Sequence, residues 1–196
     1  MDTTPQMPAF EDRFPLNVIV APHPSVLPVD ELLTRCDFRT QSRSGPGGQH
    51  RNRTASGVFV TFRGMGELGE ITAEATEQRN QHRNRGVAIE RLRYVLAVSL
   101  RTSSPLDQNS ETNSLEQAIR DRFQKHTLKL AEDNPAKPAV VAMLLNDLHV
   151  AGGQPSLVAP EWGVSTSRLV GCLKSCPSAW TLLNRIRDHH GRRGLK

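Results

Sequence analysis

The chain has 196 residues, 37% hydrophobic and 23% charged, which is enough apolar material for one ordinary core or two small ones. Its formal charge of +5 favours polyanionic partners, and every Lys or Arg position from Arg35 to Arg93 is arginine. The guanidinium fork matches phosphate and stacks on bases, so nucleic acid is favoured over a membrane surface. Cys36, Cys172 and Cys176 lack the paired spacing of a zinc ribbon and fit a reducing cytoplasm, with no disulfide framework and no metal. No apolar run approaches a membrane span, and Asp2, Glu11 and Asp12 argue against a signal peptide or presequence.

In chain order, residues 1–29 carry prolines that break regular structure and read as an irregular lead-in, with one extended piece at Asn17–Ala21. Asp30 is placed to cap a short helix through Arg35, and Cys36–Thr40 then reads as extended. Gly57–Phe62 has the β-branched and aromatic content of a strand, and Glu70–Ala73 a returning one. From Thr76 to Leu100, Ala88, Leu92, Val95 and Ser99 recur at helical spacing, which predicts a helix covering the small sheet. Residues 101–114 have linker composition, and the rest predicts helices at Leu115–Glu132, Pro138–Val150, Ser156–Trp162, Thr166–Cys172 and Ala179–His189. The expected division is a lead-in over 1–29, an α+β domain over 30–100, a linker over 101–114 and an all-helical domain over 115–196.

Between the first two strands lies 44-SGPGGQHRNRTAS-56. Gly45, Gly47 and Gly48 predict a loop tip with accessible backbone amides, stiffened by Pro46, which is one way to build an oxyanion site. Taken alone, such a loop is a tight turn. The third glycine of a dinucleotide loop and the Gly-Lys-Ser/Thr ending of a P-loop are both missing. A second motif, 79-RNQHRNRGVA-88, follows. Together they resemble the catalytic domain of class I peptide chain release factors and their ribosome-rescue relatives. The matching residues are Ser44, Gly45, Gly47, Gly48, Gln49, His50, Asn52, Arg53 and Ser56, then Arg79, Gln81, His82, Arg83, Asn84 and Arg85. The likeness covers about residues 30–98.

The resemblance implies a small sheet with a packed helix, and hydrolysis of the ester joining a peptide to tRNA in the ribosomal peptidyl-transferase centre. It makes the Gln49 backbone N–H the donor to the developing charge, with Gly47 and Gly48 setting its peptide plane. It also implies no cofactor, because ribosomal RNA completes the site, and makes Gln49 a target for a glutamine methyltransferase. Ser44, His50, Arg51, Asn52, Arg53, Arg79, Gln81, His82, Arg83, Asn84 and Arg85 become contacts to ribosomal RNA. For Arg51 the competing reading is a solvent-facing substitution, and for the second motif a solvated helix start.

Only about forty residues precede the loop, where release factors carry a codon-reading portion, so the resemblance points to codon-independent rescue of stalled ribosomes. Rescue relatives end in a basic tail, whereas here the terminal patch, Arg185, Arg187, Arg192, Arg193 and Lys196, is modest. Ala159, Gly163 and Leu169 have helix-turn-helix spacing, which would put Arg168 and Lys174 on nucleic acid; a plain helical subdomain is the competing reading. A second Gly-Gly-Gln, at 152–154, reads as a helix C-cap. Three rival functions are a non-catalytic ribosome- or RNA-binding protein, a DNA-binding regulator and a hydrolase of free peptidyl-tRNA.

Overall fold

The computed structural model describes residues 6–42, 56–63, 69–107, 111–126 and 128–196. Two compact units are present, one formed by Leu27–Leu96 and the other by Met1–Val26 together with Ala97–Lys196.

The Leu27–Leu96 unit is α+β. A short helix α1 (Val29–Leu33) leads into strand β2 (Cys36–Gln41), followed by β3 (Gly57–Phe62), β4 (Ile71–Ala75) and a long helix α2 (Gln81–Ser99) that begins here and runs past Leu96. The sheet is antiparallel in the order β2-β3-β4, with Phe38 opposite Val60 and Val60 opposite Ala73. Side chains alternate along a strand, so Val58, Val60, Phe62, Ala73 and Ala75 share the buried face. Against them α2 presents Asn84, Ala88, Leu92 and Leu96, all fully enclosed and four residues apart, the spacing that stacks side chains on one helix face. Each large apolar side chain enclosed in this way contributes about 1.5–3 kcal/mol. Val95, expected on this stripe, is 39% exposed, because the buried row runs through Leu92 and Leu96 and leaves it to one side. Asp30 lies inside the first turn of α1, and no side chain caps the N-terminus of that helix.

On the other sheet face Thr61 and Thr72 join hydroxyls at 2.8 Å. Arg63 reaches Asp37 at 2.5 Å and Glu70 at 3.2 Å. These pairs are more than half exposed, so each is worth about 0–1 kcal/mol.

The second unit is built around helix α4 (Lys137–Val150), every residue of which is buried. A helix apolar on all sides belongs inside a shell. Here the shell is α3 (Ser114–Phe123), α5 (Pro155–Val158), α7 (Pro177–His189), strand β5 (Leu100–Arg101) and the 3-10 turn Pro24–Val26, with α6 (Thr166–Lys174) packed on α5 and α7. The unit is not helical throughout, since β1 (Asn17–Val18) pairs in parallel with β5. Helix α3 stops at Phe123, short of the expected Glu132. Lys125 takes φ +60° and donates its N–H to the Trp162 carbonyl at 2.8 Å, so a long-range bond replaces the next helical one.

Residues 101–104 are not a solvated connector. Ser104 donates to Asp147 at 2.6 Å and Thr102 to Glu116 at 2.8 Å, while the Asn146 amide donates to the Thr102 hydroxyl at 2.7 Å. Asp147 also accepts two bonds from Arg120, at 2.7 and 2.8 Å, and one from the Trp162 indole at 2.7 Å. The irregular N-terminal segment joins this network through the His23 N–H, which donates to Glu116 at 2.7 Å, and through an Arg13–Asp107 pair at 2.7 Å. Gly152 and Gly153, with φ +59° and +71°, close the C-terminus of α4, and the Gly153 N–H reaches back to the Leu148 carbonyl at 2.7 Å. The second Gly-Gly-Gln is therefore a helix cap.

Candidate functional site

Residues 43–55 connect β2 to β3, and the connection is closed at its base by the Gln41–Gly57 pair of the antiparallel ladder. Gly57 sits in a tight place, since a Cβ there would lie 3.0 Å from the Gln41 carbonyl oxygen and 3.1 Å from the Thr76 methyl. Ser44, Gly45, Gly47, Gly48, Gln49, His50, Arg51, Asn52 and Arg53 lie outside the described residues.

The second motif falls on the start of α2. Asn80 accepts the Arg83 backbone N–H at 3.1 Å and so satisfies one of the donors that a helix start leaves free. Arg79, Gln81, His82, Arg83 and Arg85 are exposed. Arg85 is committed on one side, because its guanidinium lies over the Phe38 ring at 3.8 Å. Arg91, one turn beyond the motif, is anchored to the Glu74 carbonyl and the Glu77 carboxylate, both at 2.8 Å. Its hydrogen bond holds the Glu77 carboxyl below the ordinary range. His82 and Arg83 share a helix face with Gly86, where a Cβ would meet nothing within 4 Å, so a ligand backbone can approach closely, and Arg79 stands just ahead of that helix.

Asn84, expected to touch RNA, is fully buried. Its side-chain carbonyl accepts the Gln78 N–H at 3.0 Å, and its amide donates to the Gln78 carbonyl at 2.8 Å and the Ser56 carbonyl at 2.6 Å. Both amide hydrogens are consumed internally, which leaves nothing to offer a ligand.

In the second unit Arg168, Lys174, Arg185 and Arg193 are exposed. Arg187 and Arg192, expected as nucleic-acid contacts, instead bind the carbonyls of Gly153 at 2.7 Å and Gly152 at 3.0 Å, where the C-terminal end of α4 concentrates partial negative charge. Ala159 and Leu169 are buried and Gly163 takes φ +58°, as a helix-turn-helix reading wants, but α5 spans four residues and supplies little of the first helix that motif needs.

Burial pushes the Cys36 and Cys172 thiols up to about 11, so neither is a ready nucleophile. Among the described residues no group of three His, Cys, Asp or Glu side chains is placed to hold a metal ion, and no helix is long and apolar enough to cross a membrane.

A family model for the RF-1 domain matches residues 33–134. Peptide chain release factor 1 of Acidiphilium cryptum (strain JF-5) is 33% identical over 99 residues, which are 50% of this chain and 27% of the relative. The chain thus spans about a quarter of the length of that relative. No solved structure matches it. The RF-1 match, over more than half of the chain, and the release-factor relative agree with the sequence motifs at 44–56 and 79–88, and on that footing the chain belongs to the class I peptide chain release factor family.

Proposed function

We propose that the protein is a codon-independent peptidyl-tRNA hydrolase that frees stalled ribosomes in the cytoplasm. The observation that carries the reading is that the two motifs, far apart in sequence, meet in one unit: the exit of the glycine loop at Ser56 is hydrogen-bonded to the basic start of α2. A glutamine loop and a polyphosphate-binding surface on one small scaffold suit a site that works inside ribosomal RNA.

In the proposed reaction, water adds to the acyl carbon of the peptidyl ester. The bond from that carbon to the tRNA 3′ oxygen then breaks, and the 3′ oxygen takes a proton to leave a hydroxyl and a free peptide carboxylate. The Gln49 backbone N–H donates to the oxygen that gains charge, with Gly47 and Gly48 setting its direction; one such donor is worth about 10²–10³ in rate. Arg79, His82 and Arg83 hold ribosomal RNA, joined by Ser44, His50, Arg51, Asn52 and Arg53. Gln49 is the position for a glutamine methyltransferase to modify.

The helices α3–α7 provide a second docking element in this reading. From Gly163 to Lys196 the chain carries seven Lys or Arg against one acid, Asp188, so the excess positive charge of the whole chain is concentrated there. Arg168, Lys174, Arg185 and Arg193 are the exposed residues offered to RNA, with the Lys174 ammonium over the Trp180 ring at 5.1 Å and the Arg185 guanidinium over the Phe14 ring at 5.2 Å.

The test is peptide release from ribosomes holding peptidyl-tRNA on an mRNA without a stop codon. Wild type, Gln49→Ala and Gly48→Ala are compared, with stop-codon complexes and free peptidyl-tRNA as parallel substrates. Release by wild type that is indifferent to the codon, absent on free peptidyl-tRNA and abolished in Gly48→Ala establishes the hydrolase. Ribosome binding without release on any template overturns it in favour of a non-catalytic binding factor.

A further inference from the structure

We infer that Asn84 is a positioning residue that sets the glycine-loop stem against the basic face of α2. The inference rests on the hydrolase reading for its functional consequence and on geometry alone for its mechanical part.

Three segments converge on this one side chain. Ser56 precedes β3 at the exit of the loop; Gln78 stands ahead of α2; Asn84 lies one turn inside α2 on its buried face. The amide spans them with bonds of 2.6, 2.8 and 3.0 Å and no exposure to water. Ser56 is the neighbour of Gly57, which the ladder ties to Gln41. The loop exit is thus pinned twice, by the sheet through Gly57 and by α2 through Asn84. The first bond fixes the stem within the sheet. The second fixes its distance from Arg79, His82 and Arg83, and no ladder bond can do that, because α2 lies outside the ladder.

Few side chains can replace an amide here. The Ser56 and Gln78 carbonyls need donors while the Gln78 N–H needs an acceptor, and only an amide offers both on one planar group of this length. Aspartate keeps the shape and the acceptor but sets a carboxylate against two carbonyl oxygens. Serine or alanine leaves the carbonyls without their donor. On the ribosome the basic face anchors the protein and the loop reaches the ester, so an error in their spacing appears as a misplaced donor while the anchor remains. Such an error lowers the rate of the bound complex and spares affinity.

The experiment uses full-length protein carrying Asn84→Asp or Asn84→Ser, with Arg83→Ala as the anchor variant. Ribosome affinity and single-turnover release at saturating protein are measured separately, and hydrogen exchange of the free protein is followed in the peptides containing Ser56 and Gln78. The expected result is a fall in saturated release of about tenfold or more for both Asn84 variants. Their affinity stays within about threefold, Arg83→Ala shows the converse, and exchange accelerates in the two tethered peptides while the β3 and α4 peptides keep their protection. Unchanged exchange at Ser56 and Gln78 overturns the tether. Accelerated exchange with undiminished release, or with affinity lost in parallel, overturns the positioning role. Absence of release by wild type fails the hydrolase reading instead, and the exchange result then decides the mechanical part by itself.

Discussion

Replacing Asp147 by alanine strands the side chains that fasten residues 102–104, α3 and Trp162 to α4. The carboxylate accepts four hydrogen bonds, two from Arg120 at 2.7 and 2.8 Å, one from Ser104 at 2.6 Å and one from Trp162 at 2.7 Å. The pair is closed to water, with Asp147 at 0% and the Arg120 side chain at 3% exposure. Losing one partner of a buried ion pair costs about 3–5 kcal/mol, because the other charge stays buried. The unpaired indole N–H adds about 1–3 kcal/mol, although the two losses share a cause and do not simply add. A loss of about 4 kcal/mol shifts the unfolding midpoint of a chain of this size by roughly 8–16 °C. The assay is thermal and urea unfolding followed by Trp fluorescence, since Trp162 reports on the bond being cut. The double variant Asp147→Leu/Arg120→Met removes both charges and is expected to recover much of the loss. An Asp147→Ala protein within about 1 kcal/mol of wild type, or a double variant no better than the single one, would refute the reasoning.

Acid should weaken the same unit. Burial pushes the fully enclosed His23 down to about 3, with the Arg101 guanidinium adding to the effect, and burial pushes His149 down to about 4. Both are neutral in the fold and take up a proton when unfolded below about pH 6.5, so stability is level above neutrality and falls as pH drops from about 6.5 towards 4. Each histidine costs about 1.4 kcal/mol per pH unit in that window, up to about 4 kcal/mol for the pair at pH 5. Glu116, whose carboxyl burial raises, offsets part of this near the ordinary carboxylate range; a urea midpoint that does not move between pH 7 and 5 would count against the whole account. Arg101 is enclosed with its Nε and Nη1 unpaired and its Nη2 bound to the Ala97 carbonyl, and burial pushes it down to about 9. Arg101→Met is therefore expected to raise the thermal midpoint by about 1 kcal/mol or more of stability, and a lowered midpoint would show that the guanidinium is wanted. Gly153→Ala forces a Cβ to 2.6 Å from the Arg187 side chain at φ +71° and should cost about 1–2 kcal/mol, whereas Gly171→Ala, on an open helix face, should gain about 0.5–1 kcal/mol in the same melts.

The parts of this chain that could be read from its sequence are those where one residue type has one use. Val58, Val60 and Phe62 alternate on a strand because a half-buried strand leaves them no other arrangement, and Gly152 and Gly153 of the second Gly-Gly-Gln mark backbone at positive φ that favours glycine. Polar residues misled where they satisfy one another out of sight of water. Thr102 and Ser104 help give residues 101–114 the composition of a linker, yet each finds a partner across the unit, in Glu116 and Asp147, and composition records no partners. Asn84 looks like one more residue of an RNA-binding run, while its burial follows from helical phase with Ala88 and Leu92. Arg187 and Arg192 carry the charge of a nucleic-acid patch and spend it on two carbonyls that sequence separation hides.

The Leu27–Leu96 unit is an insertion in the chain of the other, and this orders how the protein is made. Its strands and helix join neighbours close in sequence, so it can fold as soon as α2 is synthesised. The other unit depends on contacts such as the His189 ring with the Asp12 carbonyl and the His149 ring with the Phe14 carbonyl, which span 177 and 135 residues. Its first strand must therefore wait, unpaired, until β5 and then α4 and α7 have been made. During that interval the nascent chain carries a finished glycine-loop unit and an unfinished partner, so its vulnerable period for aggregation and proteolysis is set by the time needed to translate the last helices.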